Sequence, residues 1–383
     1  MMDLTRHDMR ELWIHTFNDS CEYVDNLFDS YGDSMLTASE YIDDTLVSSL
    51  VGIPYDFLLG GEKESRLHGL YLCGLATSDR YRSRGIMSRL LERICNRASH
   101  DGFDFVFLIP ANSGLRDYYR NRNFVASFYR YEYCFIAGYD FIRHARCKSG
   151  DYDKCSIIDV DYIRDKISSN DMKYLERISD NISLLEHESI CKNRRSDTYY
   201  ISHTTHDFVT LIKERVISGD LLYISKSDNE IKCALFARIV GSELTVDKII
   251  YIDEYYALFT LNHIAQVFSD KAIRVVSEKQ LDDDNMRILS VYNIDSEAEN
   301  SNMVDDTVSD SIGYTNTVPH SYGMLRMLNR NKIVNTLHLR DTNELSDLQL
   351  AEVLFRSHIE GVDYAEQAFG LPSVGMSMSL MME

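Results

Sequence analysis

No stretch of the 383 residues comes near the ~20 uninterrupted apolar side chains that a membrane-spanning helix needs, so no span is expected. The opening residues, Met1-Met2-Asp3-Leu4-Thr5-Arg6-His7-Asp8, are charged and lack the apolar core of a secretion signal. Cysteine occurs eight times but never as a Cys-x-x-Cys pair. Several cysteines sit in apolar runs, as Cys73 does in Leu70-Tyr71-Leu72-Cys73-Gly74-Leu75. That pattern fits buried free thiols in a reducing compartment better than disulfides or zinc. A cytoplasmic protein without a metal is the expectation. Positive charge is scarce as well: 40 Lys and Arg against 60 Asp and Glu leave a formal net charge of −20. Nucleic acid is therefore a poor partner, because phosphate-backbone binding relies on clustered basic residues. The balance suits a cationic small molecule or peptide, although acid also simply keeps a chain soluble.

What is present reads as two or three folded domains, at ~150 residues each. Hydrophobic residues at 44% and charged residues at 26% are globular proportions, which excludes wholesale disorder. Met9, Leu12, Trp13 and Phe17, then Tyr23, Val24, Leu27, Phe28 and Tyr31, recur at helical spacing. Residues 35–55 read as a strand pair turning at Asp43-Asp44, with Pro54 near its close. A doubly covered strand follows at 67–77, an amphipathic helix at 85–98, a strand at 103–109, a short helix at 115–120 and an aromatic strand at 128–137. After the polar stretch 148–154 the same kinds of element recur. A helix holds Phe208, Val209, Leu211 and Ile212; strands at 221–224, 231–240 and 243–252 form a meander; a helix at 257–268 and a strand at 273–276 complete it. Residues 282–310 hold nine acids against the single base Arg287 and read as a solvated loop. Patterning returns at 322–328, 333–337 and 346–356, and the final Leu380-Met381-Met382-Glu383 is apolar enough to be tucked in.

One segment carries chemistry: Ala76-Thr77-Ser78-Asp79-Arg80-Tyr81-Arg82-Ser83-Arg84-Gly85-Ile86-Met87, joining the strand at 67–77 to the helix after it. First-turn amides of a helix have no internal partner, and the helix dipole is positive there, so such an end seats an anion. Gly85 lets the backbone approach a ligand closely. Between positions 80 and 97, Arg80, Arg82, Arg84, Arg89, Arg93 and Arg97 stand against the single acid Glu92, a basic island in an acidic chain. A pyrophosphate fits it; an ordinary strand-to-helix turn with solvent-facing arginines is the competing reading.

Arg82-x-x-Gly85, continued by Ile86-Met87-x-x-Leu90-Leu91, resembles the acetyl-coenzyme A signature of the GNAT acetyltransferases, Gln/Arg-x-x-Gly-x-Gly/Ala. Leu108-Ile109-Pro110-Ala111-Asn112-Ser113 is similar to that family's later strand, and Tyr118-Tyr119-Arg120-Asn121-Arg122-Asn123-Phe124 to its Tyr-x-x-x-Gly-Phe segment. Three departures stand out: Met87 where many members have Gly or Ala, Asn123 in place of Gly, and Asp79 where Pro is frequent. The longer chain resembles the Eis acetyltransferases, with tandem GNAT lobes and a short sterol-carrier-protein-like tail. The resemblance implies an α/β (α+β) fold with a mixed sheet flanked by helices. It implies a catalytic domain at 1–145, a degenerate lobe at 146–280 and a small C-terminal domain at 281–383. The turn after the second lobe's strand, Tyr251-Ile252-Asp253-Glu254-Tyr255-Tyr256, has neither Gly nor Arg, so no pyrophosphate seat is expected there.

The resemblance also implies roles. Acetyl-CoA is the co-substrate, and no metal is needed. Leu75, Ala76 and Thr77 hold the pantetheine and thioester; Arg82, Ser83, Arg84, Gly85, Ile86, Met87 and Ser88 cradle the pyrophosphate; Asn112 and Ser113 add contacts. Tyr119 matches the general acid, with Tyr118 pointing elsewhere, and the terminal carboxylate of Glu383 matches the base. The acceptor is a cationic primary amine (aminoglycoside, polyamine or lysine side chain), and homo-oligomers are the family expectation. A non-catalytic GNAT scaffold binding CoA or a cationic ligand is the alternative.

Overall fold

The computed structural model describes residues 2–59, 62–135, 155–193, 198–277, 315–336, 342, 345–356 and 375–377. The acidic segment 282–310 and the expected base Glu383 lie outside the described residues. The chain divides into two units that are not consecutive in sequence: Met1–Tyr129 with Arg194–His206 and Ser321–Glu383, and Arg130–Asn193 with Asp207–His320.

The first unit begins with helices α1 (Met2–Phe17) and α2 (Cys21–Tyr31). Ser20 caps α2, its hydroxyl accepting from the Tyr23 amide, and Val24, Leu27, Phe28 and Tyr31 form the buried stripe. Strands β1 (Leu36–Ile42) and β2 (Thr45–Leu59) form a hairpin through Asp43 and Asp44, whose φ angles of 48° and 59° suit its tight turn. β2 pairs antiparallel with β3 (Glu62–Thr77), and β3 runs parallel to β4 (Phe105–Leu108) after crossing through α3 (Ile86–His100). Helix α4 (Ser113–Arg120) and strand β5 (Val125–Phe135) follow. Pro54 does not close its strand: it pairs opposite Leu70, and the hairpin runs on to Leu59 and Glu62. The polar sequence from Glu62 to Ser65 conceals that extension.

Elements from later in the chain complete this unit. β7 (Thr198–Ile201) pairs with the far end of β2, β13 (Gly375–Ser377) pairs with β7, and residues 324–327 of β12 (Thr315–Met327) pair antiparallel with β4. Helices α9 (Arg330–Thr336) and α10 (Asp347–Arg356) lie in the same C-terminal segment. Leu70, Leu72, Leu90, Leu91, Ile94, Val106, Leu108 and Phe124 share one core with Met324 of β12. Burying each large aliphatic stabilises by about 1.5–3 kcal/mol, so the α3 stripe is fixed against β3 and β4. That packing points the first turn of α3 at the end of β3.

The second unit contains β6 (Cys155–Ile158), α5 (Val160–Ser168), α6 (Met172–Asn193), α7 (Thr205–Ser218), β8 (Leu221–Ser227), β9 (Glu230–Val240), β10 (Glu243–Tyr251), α8 (Glu254–Val267) and β11 (Ala272–Ser277). The meander expected from sequence is present as β8, β9 and β10, paired antiparallel. β10 then crosses through α8 to run parallel with β11, which pairs with residues 131–135 of β5. Helices α5 and α6 were not foreseen. No helix among the described residues is long and apolar enough to cross a membrane.

Candidate active site

The end of β3 is where the ladder breaks. Parallel pairing with β4 runs from Gly69↔Phe105 to Tyr71↔Phe107 and stops, so among the described residues Leu72–Thr77 have no partner in β4. On the other side, Val51 pairs with Cys73 and Ser49 with Ala76. Gly74 and Leu75 therefore both stand opposite Leu50, a β-bulge with Gly74 in the left-handed region at φ +58°. Only glycine fits: a Cβ at Gly74 would lie 2.0 Å from Cζ3 of Trp13. The indole is itself held, its Nε1 donating to Asp19 at 2.7 Å. Beyond the bulge, buried Ser48 donates to the Ala76 carbonyl at 2.9 Å and lies 2.8 Å from Thr77 Oγ1. The expected thioester-holding residues Leu75, Ala76 and Thr77 thus occupy a fixed, outward-bent strand end. Ser48 and Trp13, which fix it, were not singled out from sequence.

The turn that follows is built for donors. After a short 3₁₀ turn at Asp79–Tyr81, Ser83 and Gly85 both adopt left-handed angles, φ +61° and +72°, on either side of Arg84. Left-handed residues in such a turn gather successive backbone N–H groups into an anion-binding concavity. Gly85 is the N-cap of α3, and no side chain caps the helix. A Cβ at Gly85 would meet only Arg89 Nη1, at 3.8 Å, so the space before this helix end is open. The amides of Ile86, Met87 and Ser88 form its first turn. Arg82 and Arg84 are exposed but not idle. Arg82 donates to the Thr77 carbonyl at 3.1 Å and pairs with Asp79 at 2.8 Å, while Arg84 lies 5.1 Å from the Tyr81 ring centre. Asp79 is therefore neutralised by Arg82, not presented bare to the turn.

Residues 4–126 match the acetyltransferase (GNAT) domain family. That match spans less than half of the chain. The chain as a whole is similar in fold to several solved structures. One is a conserved protein of unknown function from Enterococcus faecalis V583, a probable N-acyltransferase, at 14% identity over 88% of this chain and 73% of that one, TM-score 0.59. A GCN5-related N-acetyltransferase from Kribbella flavida gives 13% identity, 86% and 70% coverage and a TM-score of 0.56. A GCN5-related N-acetyltransferase from Anabaena variabilis gives 13%, 86% and 72%, and 0.55. At such identities the likeness is one of fold. No curated protein matches the sequence. The α/β fold, a sheet flanked by helices, is as expected.

Within the matched residues, Asn112 and Ser113 sit at the start of α4. Asn112 is the N-cap, and its Oδ1 accepts from the Leu115 amide at 3.0 Å, so that oxygen is committed to the helix. Tyr119 projects into the core with 6% exposure, its ring 5.6 Å from that of Phe124. Its hydroxyl has no hydrogen-bond partner among the described residues. Burial pushes the Tyr119 phenol well above its ordinary value, Tyr118 adds to the push, and Arg122 opposes it. Asn123 adopts φ 64°, the left-handed angle that glycine supplies in the family pattern and that asparagine tolerates. Tyr118 does point elsewhere, its hydroxyl 3.1 Å from Ser88 Oγ. Neither Tyr118 nor Arg122 was given a role from sequence; both reach the first turn of α3 only through the fold.

Proposed function

We propose that the chain transfers acetyl from acetyl-CoA directly to a cationic primary amine, of the aminoglycoside, polyamine or lysine type. The uncapped first turn of α3 carries this reading: a basic turn with two left-handed residues and free amides is a seat for a pyrophosphate. The residues fit the group: Ser83 to Ser88 cradle its phosphates, with Arg82 and Arg84 at the rim, and the diverging edge of β3 accepts the pantetheine arm. Bound there, the thioester supplies an activated acetyl group. One of the amides of Leu75, Ala76 and Thr77 polarises its carbonyl oxygen as negative charge develops there. Tyr119 gives its proton to the departing sulfur; burial keeps the phenol protonated through the neutral range, the state a donor needs. Asn112 and Ser113 support the cofactor through the amides at the head of α4. The terminal carboxylate of Glu383 deprotonates the acceptor, a role taken from the resemblance to the Eis acetyltransferases.

That resemblance also suggests a degenerate second lobe, a sterol-carrier-like tail and assembly into oligomers. The acceptor class is supported by the formal charge of −20. A reducing, cytoplasmic setting is supported by free Cys73, Cys95 and Cys233, whose thiols burial pushes upward. Calorimetry with acetyl-CoA tests the reading, with thiol release in the presence of simple polyamines as the measure of turnover. Micromolar binding and thiol release are expected; no heat at millimolar concentration ends the proposal, and binding without thiol release leaves only the scaffold alternative. Tyr119→Phe is expected to lower kcat about 100-fold with little change in cofactor affinity. Full turnover in a chain lacking Met382 and Glu383 removes the terminal carboxylate from the mechanism.

A further inference from the structure

Arg122 stands out because its guanidinium joins two elements of the site and, among the described residues, forms no ion pair, acting on Glu92 only from beyond contact. Its Nε and Nη2 donate to Ser88 Oγ at 3.1 and 2.7 Å, and Nη1 donates to the Tyr118 carbonyl at 2.5 Å. The plane lies over the Tyr118 ring, 3.5 Å from its centre. Among the described residues no carboxylate is within ion-pairing distance, in a chain where acids outnumber bases by 60 to 40. With two N–H groups converging on Ser88 Oγ, the serine proton is directed at Tyr118 Oη, 3.1 Å away. Arginine, serine and tyrosine thereby close a ring of bonds from the end of α4 to the first turn of α3. Arg120, two residues earlier, is different: it is exposed and pairs with Asp117 at 2.6 Å.

We propose that Arg122 is a positioning residue for acetyl transfer. Acting through Ser88 and Tyr118, it locks α4 against the first turn of α3 and so sets the distance between the Tyr119 hydroxyl and the thioester seat. The proposal rests on the reading of Tyr119 as proton donor. Tyr118 is the adjoining residue, its ring edge-on to that of Tyr119 at 5.2 Å, so a shift of one moves the other. The guanidinium also opposes the upward push that burial gives the Tyr119 phenol, which places its charge close to that group. The planar fork matters as much as the charge: lysine has no plane to stack on Tyr118 and no second N–H pair to converge on Ser88.

Arg122→Met is expected to lower kcat about 20-fold, in keeping with the cost of a misplacement of roughly an ångström. The CoA dissociation constant from calorimetry should stay within about 3-fold, because the α3 amides are untouched. Arg122→Lys should recover only part of kcat, and Arg120→Met should match the parent. An Arg122→Met protein with unchanged kcat overturns the proposal. So does one whose loss is entirely in cofactor affinity, since that marks a direct anion contact. If Arg122→Met does not fold, Tyr118→Phe and Ser88→Ala, which keeps the backbone amide, carry the test. Each should lose kcat several-fold at constant CoA affinity, and parental kcat in both overturns the idea. Tyr119→Phe run alongside separates the failures: parental turnover there removes the proton-donor reading, whereas slow Tyr119→Phe beside fast Arg122→Met removes only the positioning role.

Discussion

The two units contain the same crossover built to opposite ends. In the first, antiparallel β1, β2 and β3 lead through α3 to parallel β4; in the second, antiparallel β8, β9 and β10 lead through α8 to parallel β11. Both third strands bulge where the parallel ladder ends. In β3 the bulge holds Gly74, whose lack of a side chain leaves its backbone against Trp13. In β10 the extra residue between Val246 and Lys248 is Asp247, bound to Arg215 at 3.0 Å and to Arg238 at 3.3 Å. Arg215, with its side chain 7% exposed, also holds Asp220 at 3.1 Å. Burial works against the Arg215 charge, and Asp247, Glu214 and Asp220 outweigh it. The helix starts differ in the same sense. α3 begins at uncapped Gly85, whereas Asp253 caps α8, its carboxylate accepting from the Tyr255 amide at 2.9 Å. One crossover starts its helix uncapped among arginines; the other caps its helix with Asp253 and ties its bulge carboxylate to arginines. Topology alone does not decide how a helix start is capped.

Three substitutions break or sharpen this contrast. Gly74→Val has the largest expected effect. The side chain collides with a fixed indole at a left-handed φ, so stability should fall by more than about 4 kcal/mol in urea denaturation, and a protein of parental stability shows that the bulge is not locked. Asp247→Ala is expected to cost about 3 kcal/mol, because it strips a partner from a buried guanidinium, while acetyl-CoA affinity is unchanged. A loss of cofactor binding there would make the second bulge part of the site. The smallest effect belongs to Asp253→Ala, about 1 kcal/mol for a lost cap. Calorimetric stoichiometry should remain one acetyl-CoA per chain in this variant; a second equivalent means that the cap alone closed the second crossover.

Much of this was legible from periodicity and turn chemistry. The Asp43-Asp44 hairpin, the stripe of α3 and the meander around Asp228-Asn229 and Gly241-Ser242 all depend on local rules, which sequence states directly. The sequence after Tyr251 has neither Gly nor Arg, but the capping of α8 by Asp253 is visible only in the fold. What stayed hidden is non-local. Gly74 looked like one more residue of an apolar strand, because the register shift opposite Leu50 and the indole that demands glycine come from other elements. The ring of bonds through Arg122, Ser88 and Tyr118 spans more than thirty positions and leaves no periodic trace. Helices α5 and α6 were passed over in a stretch where charged and apolar residues are closely mixed. Pro54 suggested an ending, yet its missing N–H is tolerated within β2, where it pairs opposite Leu70.

Trp13 is the only tryptophan in the chain, and it abuts the strand bulge at Gly74. Near-ultraviolet emission from the native protein therefore comes mainly from a single indole resting on the backbone proposed to meet the acyl group. No label or mutation is required to follow that spot: a blue shift, a quench or their kinetics in a stopped-flow trace reports occupancy in real time.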